Sequence, residues 1–253
     1  MKVVFIGSGN VATHMARAFK GAGHAVLQIW SATFRHAAVL AADVGAEPIE
    51  TLSEISLEVD LIVISVKDDA IADVVNQLGD FSAIIVHTSG ATPMDALASL
   101  KHYGVLYPLQ TFSKDKALDF SQVPLCIEAG DPESFAIIKE LAESLSNRVY
   151  SVDSAKRQVL HLAAAFACNF VNQLYTLGND LLAKNQLDFE LLRPLILETA
   201  EKVQYLLPLE AQTGPAVRRD EKTLKSHLEL LQGQSELTHI YQTLSDSIKK
   251  SHQ

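Results

Sequence analysis

Two glycines and an alanine near the start of the chain carry the most pointed chemistry. Gly7, Gly9 and Ala12 stand in G-x-G-x-x-A spacing directly after Val3-Val4-Phe5-Ile6, a short apolar run rich in β-branched residues. From Asn10 the pattern turns helical, with Val11, Met15, Ala18 and Phe19 spaced to bury one face. Strand, tight turn and helix start together gather open backbone N–H groups and the positive end of a helix into one small volume. That volume suits a pyrophosphate. Gly7 makes the turn, Gly9 lets the backbone approach phosphate and Ala12 permits close packing, so Gly7, Ser8, Gly9, Asn10 and Val11 form the expected dinucleotide loop. The glycines alone would serve equally well in a structural turn; their place between strand and helix favours the nucleotide.

Ala25–Trp30 reads as a second strand, and its end decides which dinucleotide fits. A binder of NAD usually places Asp or Glu there, about 20 residues past the glycines, to accept from the ribose hydroxyls. This chain has Ser31, Thr33 and Arg35 instead, with no carboxylate nearby. Hydroxyls and a guanidinium suit the 2′-phosphate of NADP through charge-assisted bonds of about 1.5–3 kcal/mol each. The plainer alternative is a solvated helix start. Further strand ends supply Ser65, Val66 and Lys67, then His87 and Ser89, then Gln110 and Thr111. Ligands of doubly wound sheets sit beyond the carboxyl ends of the strands, which places Ser65, Val66, Lys67 and Ser89 beside a nicotinamide ribose. Equally, Ser89 could cap a turn and His87 could be a packed histidine.

A second set of polar residues lies on a long proline-free stretch, Ser154–Lys184, which reads as one helix of up to ~30 residues, roughly 45 Å. At ~100° per residue His161, Cys168, Asn172 and Asn179 share a line, with Asn169 to one side. Leu162, Phe166, Phe170 and Leu174 make the helix apolar nearly all round, so it is expected to be buried. Buried amides and an imidazole need partners, either in other helices or in a wet pocket. In the pocket reading His161 is the proton donor, since imidazole titrates near neutrality, while Asn169, Asn172 and Gln110 orient the acceptor. Arg218 and Arg219, before a helix capped by Asp220, could bind an anion or simply be solvated.

The elements that must position these groups follow the chain in order. Helices are expected at Phe34–Ala42, Ala70–Leu78, Pro93–Leu100 and Pro132–Leu145. Strands are expected at Leu61–Val66, Ala83–His87, Gly104–Tyr107, Leu125–Glu128 and Arg148–Val152, with Glu47–Ile49 a possible edge strand. The first set of strands is apolar without alternation, as in a parallel sheet buried on both faces. After Asp153 the strand signal vanishes and helices are expected at Asp188–Leu206, Asp220–Leu231 and Ser235–Lys250. The fold class is therefore α/β, a Rossmann-type doubly wound parallel sheet over residues 1–153 followed by an all-α domain over 154–253.

Length, 253 residues, allows one large domain or two modest ones. A net charge of −9 argues against nucleic acid or an anionic membrane as principal partner. Two cysteines make no disulfide framework, no C-x-x-C or other metal-ligand spacing occurs, and no apolar run reaches the roughly 18 residues of a membrane span. The apolar run after Lys2 is too short for a signal peptide, so the expected location is cytoplasmic.

Five stretches as a set resemble a two-domain NADP oxidoreductase family in which a Rossmann-like N-terminal domain precedes a helical domain of unknown function. They are VFIGSGNVA at Val4–Ala12, HTSG at His87–Gly90, YPLQTF at Tyr107–Phe112, HLAAAFACNF at His161–Phe170 and TGPAVR at Thr213–Arg218. More distantly the layout is similar to pyrroline-5-carboxylate reductase and the deazaflavin-dependent NADP reductases. The resemblance implies NADP as cofactor, hydride transfer to a small-molecule substrate at an interdomain cleft, and a homodimer formed through the helical domain. There are departures: members often carry His where this chain has Tyr107, and Lys156 lacks the Asn four residues later on which β-hydroxyacid dehydrogenases rely. The expected function is an NADP-dependent reductase of a small polar carbonyl or imine; the rival is a non-catalytic NADP-binding sensor on the same scaffold.

Overall fold

The computed structural model describes residues 1–252 and divides into two compact units, Met1–Asn169 and the segment from Phe170 onward. In the first unit eight strands form one sheet in the order β3-β2-β1-β4-β5-β6-β7-β8. They are β1 Lys2–Ile6, β2 Ala25–Trp30, β3 Glu47–Ile49, β4 Leu61–Ile64, β5 Ile84–His87, β6 Tyr103–Pro108, β7 Leu125–Ala129 and β8 Val149–Ser151. The helices beside it are α1 Asn10–Gly21, α2 Phe34–Val44, α3 Ile71–Gln77, α4 Pro132–Leu145 and α5 Ser154–Ala164.

Alternation along a strand explains why β1 is apolar from Val3 to Ile6. Val3 and Phe5 join Met15, Phe19, Leu40 and Leu141 on one face, while Val4 and Ile6 join Ile62, Ile64, Ile71 and Val75 on the other. Strand β1 pairs in parallel with both β2 and β4, so the chain leaves it in one direction and returns on its other side. The resulting gap at the carboxyl ends of β1 and β4 is the topological switch point where such sheets bind ligands.

The sheet departs from the all-parallel expectation at one place: β7 runs antiparallel to β6. Residues 109–124 between them hold only a 3₁₀ turn at Phe120–Gln122, and without a crossover helix the chain turns back against its neighbour. Pro93–Leu100 likewise holds no α-helix, only a 3₁₀ turn at Met94–Leu97.

The long helix is not uniform. A π-helical turn at Ala165–Phe170 separates α5 from α6, Val171–Lys184. Nor is the segment buried: Leu162 is 58% exposed, Phe166 63% and Phe170 51%. The remaining helices are α7 Arg193–Lys202, α8 Pro208–Ala211, α9 Glu221–Leu230 and α10 Ser235–Ser251. Pro194 explains why Asp188–Leu206 is not one helix: it is tolerated only in a first turn, and α7 begins there after a 3₁₀ turn at Phe189–Leu192. Among the described residues no helix is long and apolar enough to cross a membrane.

Candidate nucleotide-binding cleft

The glycine turn is built for close approach. Gly7 sits at φ +125°, and a Cβ there would lie 2.0 Å from the Ser65 carbonyl oxygen of the neighbouring strand end. Its N–H donates to Trp30 O at 2.8 Å, which fixes the turn against β2. Gly9 precedes α1 at φ −71°, and no side chain caps the helix. The first N–H groups of α1 are therefore left open. A Cβ on Gly9 would meet nothing within 4 Å, so this glycine borders empty space.

That space is a cleft of about 790 Å³, within the roughly 300–1,000 Å³ range of small-molecule sites. Gly7, Ser8, Gly9, Asn10 and Val11 form one wall, and Ser31 stands across from them at the end of β2. The Ser8 hydroxyl donates to Ser31 Oγ at 2.9 Å. Ser65, Val66, Lys67 and Ser89 line the middle, and Gln110 and His161 lie along the same cleft. Twelve residues picked from sequence thus share one cavity with Trp30, Tyr107 and Gly90.

Four picks fall outside it. Thr33 and Arg35 are exposed at the start of α2, whose first turn presents His36 to the cleft instead. Asn169 is exposed in the π turn and does not line the cleft. Asn172 is exposed on α6 in the second unit. The line joining them to His161 assumes uninterrupted α-helix, and the wider π turn between breaks that register.

Several groups that hold the cleft together were not legible as such. Arg157 on α5 is fully buried. Its Nη1 donates to Glu128 Oε2 at 2.6 Å, its Nε to Ser89 O at 3.2 Å and its Nη2 to Thr92 O at 2.6 Å. One guanidinium therefore fixes the backbone of the Ser89–Thr92 turn, whose Ser89 Oγ also accepts from the N–H of Ala91 and Thr92. On the other side Asn10 and Arg17 of α1 donate to the carbonyls of Phe112 and Lys114, and His14 Nε2 donates to that of Ser113. This strap brings Lys114 to the cleft lining.

His87 is packed rather than open. It has no exposed surface, its Nδ1 accepts from Ser89 N–H at 3.1 Å and its Nε2 is buried with no partner among the described residues. Burial, reinforced by the Arg157 charge, pushes its pKa from 6.5 down to about 4. The unfolded chain then binds the extra proton between those values, and stability falls as pH drops from about 6.5 to 4. The expected loss is roughly 3 kcal/mol. Urea unfolding of wild type and His87→Gln at several pH values checks it; equal pH slopes for both would contradict it.

A doubly wound sheet with a glycine turn, an uncapped helix start and a cleft at its switch point defines a protein of the Rossmann-like class. Residues 1–112 match the family model of a Rossmann-like domain, and residues 123–248 match that of a domain of unknown function, DUF2520. The chain is 43% identical to the solved structure of putative NADP oxidoreductase BF3122 from Bacteroides fragilis, with 98% of each chain covered and a TM-score of 0.92. It belongs to that family, a Rossmann-like domain followed by DUF2520. The fold is also similar to 1-pyrroline-5-carboxylate reductase from Streptococcus pyogenes, at 16% identity, TM-score 0.62, over 99% of this chain and 98% of that one. A reductive aminase from Aspergillus terreus, solved with NADPH and ethyl-5-oxohexanoate, matches at 17% identity and TM-score 0.73 over 99% and 93%. No curated protein matches the chain.

Proposed function

We propose that the protein is an NADP-dependent oxidoreductase that reduces a small polar carbonyl or imine. The observation that carries this reading is the single cleft joining the glycine turn to a hydrogen-bonded imidazole. A solved relative described as a putative NADP oxidoreductase, 43% identical over 98% of both chains, supports it. NADPH, when bound, supplies the hydride. The residues present fit it: Gly9 leaves room where a phosphate must approach, and the open N–H groups of α1 with the helix's positive end offer it donors.

Ser31 and His36 are the polar groups placed for a 2′-phosphate, with Arg35 exposed beside them. Ser65, Val66, Lys67 and Ser89 hold the ribose and nicotinamide end, Gln110 orients the acceptor and His161 delivers the proton. The Gln110 amide oxygen accepts from Thr111 N–H, which fixes the side chain and leaves its NH₂ without a partner among the described residues. With Ser31 in place of a carboxylate, NADPH should bind at least about tenfold tighter than NADH, a difference of about 1.4 kcal/mol. Parallel fluorescence titrations test this, and equal affinities would remove the 2′-phosphate assignment. The reaction itself is tested by following NADPH oxidation and deuteride transfer from labelled NADPH against a panel of oxo acids and cyclic imines. Saturable NADPH binding with no turnover across that panel would favour a binding protein over an enzyme.

A homodimer formed through the second unit is part of the same proposal. Leu191, Leu195, Tyr205 and Leu207 are each more than 60% exposed, an apolar surface that a second copy of the chain would cover. Light scattering should give twice the monomer mass, and Leu195→Arg should shift it toward monomer.

A further inference from the structure

Tyr107 and His161 meet inside the cleft, and what their hydrogen bond does to the imidazole goes beyond the reductase reading above. The phenol oxygen lies 3.1 Å from His161 Nδ1, with the rings edge to face at 72°. Tyr107 comes from β6 and is 8% exposed; His161 comes from the last turn of α5. Space for the pair exists because residue 90 is glycine. A Cβ there would fall 2.6 Å from His161 Nδ1 and 2.7 Å from Tyr107 Cζ. The same turn that supplies Gly90 is pinned by Arg157 through Ser89 O and Thr92 O.

The direction of the hydrogen bond follows from what each group lacks. Burial pushes the Tyr107 pKa up to about 12, so the phenol keeps its proton near neutrality. His161 Nδ1 is the only partner of that hydroxyl among the described residues. If Nδ1 carried the proton and donated, the phenol hydrogen would be left without an acceptor among the described residues. A donating phenol satisfies both atoms. The ring proton then sits on Nε2, which makes no hydrogen bond among the described residues.

We propose that Tyr107 is a positioning residue that locks the unprotonated His161 imidazole in its Nε2–H tautomer, leaving Nε2–H as the donor the cleft offers to an acceptor; as that proton passes to the acceptor, Nδ1 takes the Tyr107 phenol proton in its place, so the ring stays neutral and the phenol is reprotonated from solvent. Gly90 is the third member of the arrangement, since any side chain there would separate the two rings. The inference rests on the reductase reading for its chemical purpose, but the hydrogen bond can be tested without turnover.

The test is nitrogen-15 NMR of histidine-labelled protein at about pH 8.5, where free imidazole is neutral, in wild type, Tyr107→Phe and Gly90→Ala. Wild-type His161 should show one tautomer, with an unprotonated Nδ1 and a protonated Nε2. Tyr107→Phe should convert this to a mixture while NADPH affinity stays within about twofold. A protonated Nδ1 in wild type, or an unchanged signal in Tyr107→Phe, would overturn the proposal. If Gly90→Ala fails to fold, Tyr107→Phe still decides the matter. With an acceptor found, Tyr107→Phe should lower kcat by about tenfold or more with little change in KM for NADPH, and Tyr107→His should restore part of it. Equal kcat in wild type and Tyr107→Phe would deny His161 its positioned role. A correct tautomer with no turnover on any acceptor would instead count against the reductase reading alone.

Discussion

Alanine at Gly7 should unfold the glycine turn, whereas alanine at Gly9 should leave the protein folded and weaken only its hold on nucleotide. The two positions are two residues apart and fail for different reasons. At Gly7 the backbone lies at φ +125°, where L-residues are strained, and the new Cβ would stand 2.0 Å from the backbone oxygen of Ser65, one residue past the end of β4. Strain and clash together should cost more than about 3 kcal/mol. In a domain of this size that is a fall of roughly 6–12 °C in Tm, or outright failure to fold. At Gly9 the backbone is ordinary and a Cβ meets nothing within 4 Å. Gly9→Ala should melt within about 2 °C of wild type yet bind NADPH at least about tenfold more weakly. A Gly9→Ala protein with unchanged NADPH affinity would place the phosphate elsewhere.

The second large effect is expected at Arg157. Its guanidinium has no exposed surface and serves a carboxylate and two backbone carbonyls at once. Arg157→Met leaves Glu128, itself only 17% exposed at the side chain, with an unpaired charge, and two turn carbonyls without donors. Removing one member of a buried pair typically costs about 3–5 kcal/mol. Urea unfolding should show a loss of that order, and Arg157→Met combined with Glu128→Gln should recover part of it because the orphaned charge is gone. Arg157→Lys should recover little, since an ammonium cannot span the same three acceptors. A loss below about 1 kcal/mol in Arg157→Met would mean that the network is not what holds the Ser89–Thr92 turn.

Much of the first unit was legible because burial on both sides leaves an unmistakable pattern. Leu61–Ile64 is an unbroken apolar run and Ile84–Val86 is another that ends at His87, and each is a central parallel strand. The glycine spacing after β1 located the cleft, and strand-end reasoning brought Ser65, Val66, Lys67, Ser89 and Gln110 to it. Strand direction was not legible at β7, where pattern records burial but not whether a crossover helix intervenes. Apolarity misled at the long helix. Phe166 and Phe170 read as buried yet are more than half exposed, because sequence records that a face wants covering and not whether this chain covers it. Arg157 was invisible for a plainer reason: its partners lie 29, 65 and 68 positions away, and only the folded sheet brings them together. His36 and Arg35 are adjacent, and periodicity cannot say which of two neighbours turns toward a cleft when the start of α2 is itself uncertain by a residue.

The most direct measurement is a titration of NADPH into labelled wild-type protein followed amide by amide. Saturable shifts should cluster at Gly7–Val11, Ser31, Ser65–Lys67 and Ser89–Gly90, the residues that surround one cleft at the carboxyl ends of β1, β2, β4 and β5. Shifts centred outside that cleft, or no saturable shifts at all, would contradict the assignment of the glycine turn to the cofactor and with it the proposed chemistry.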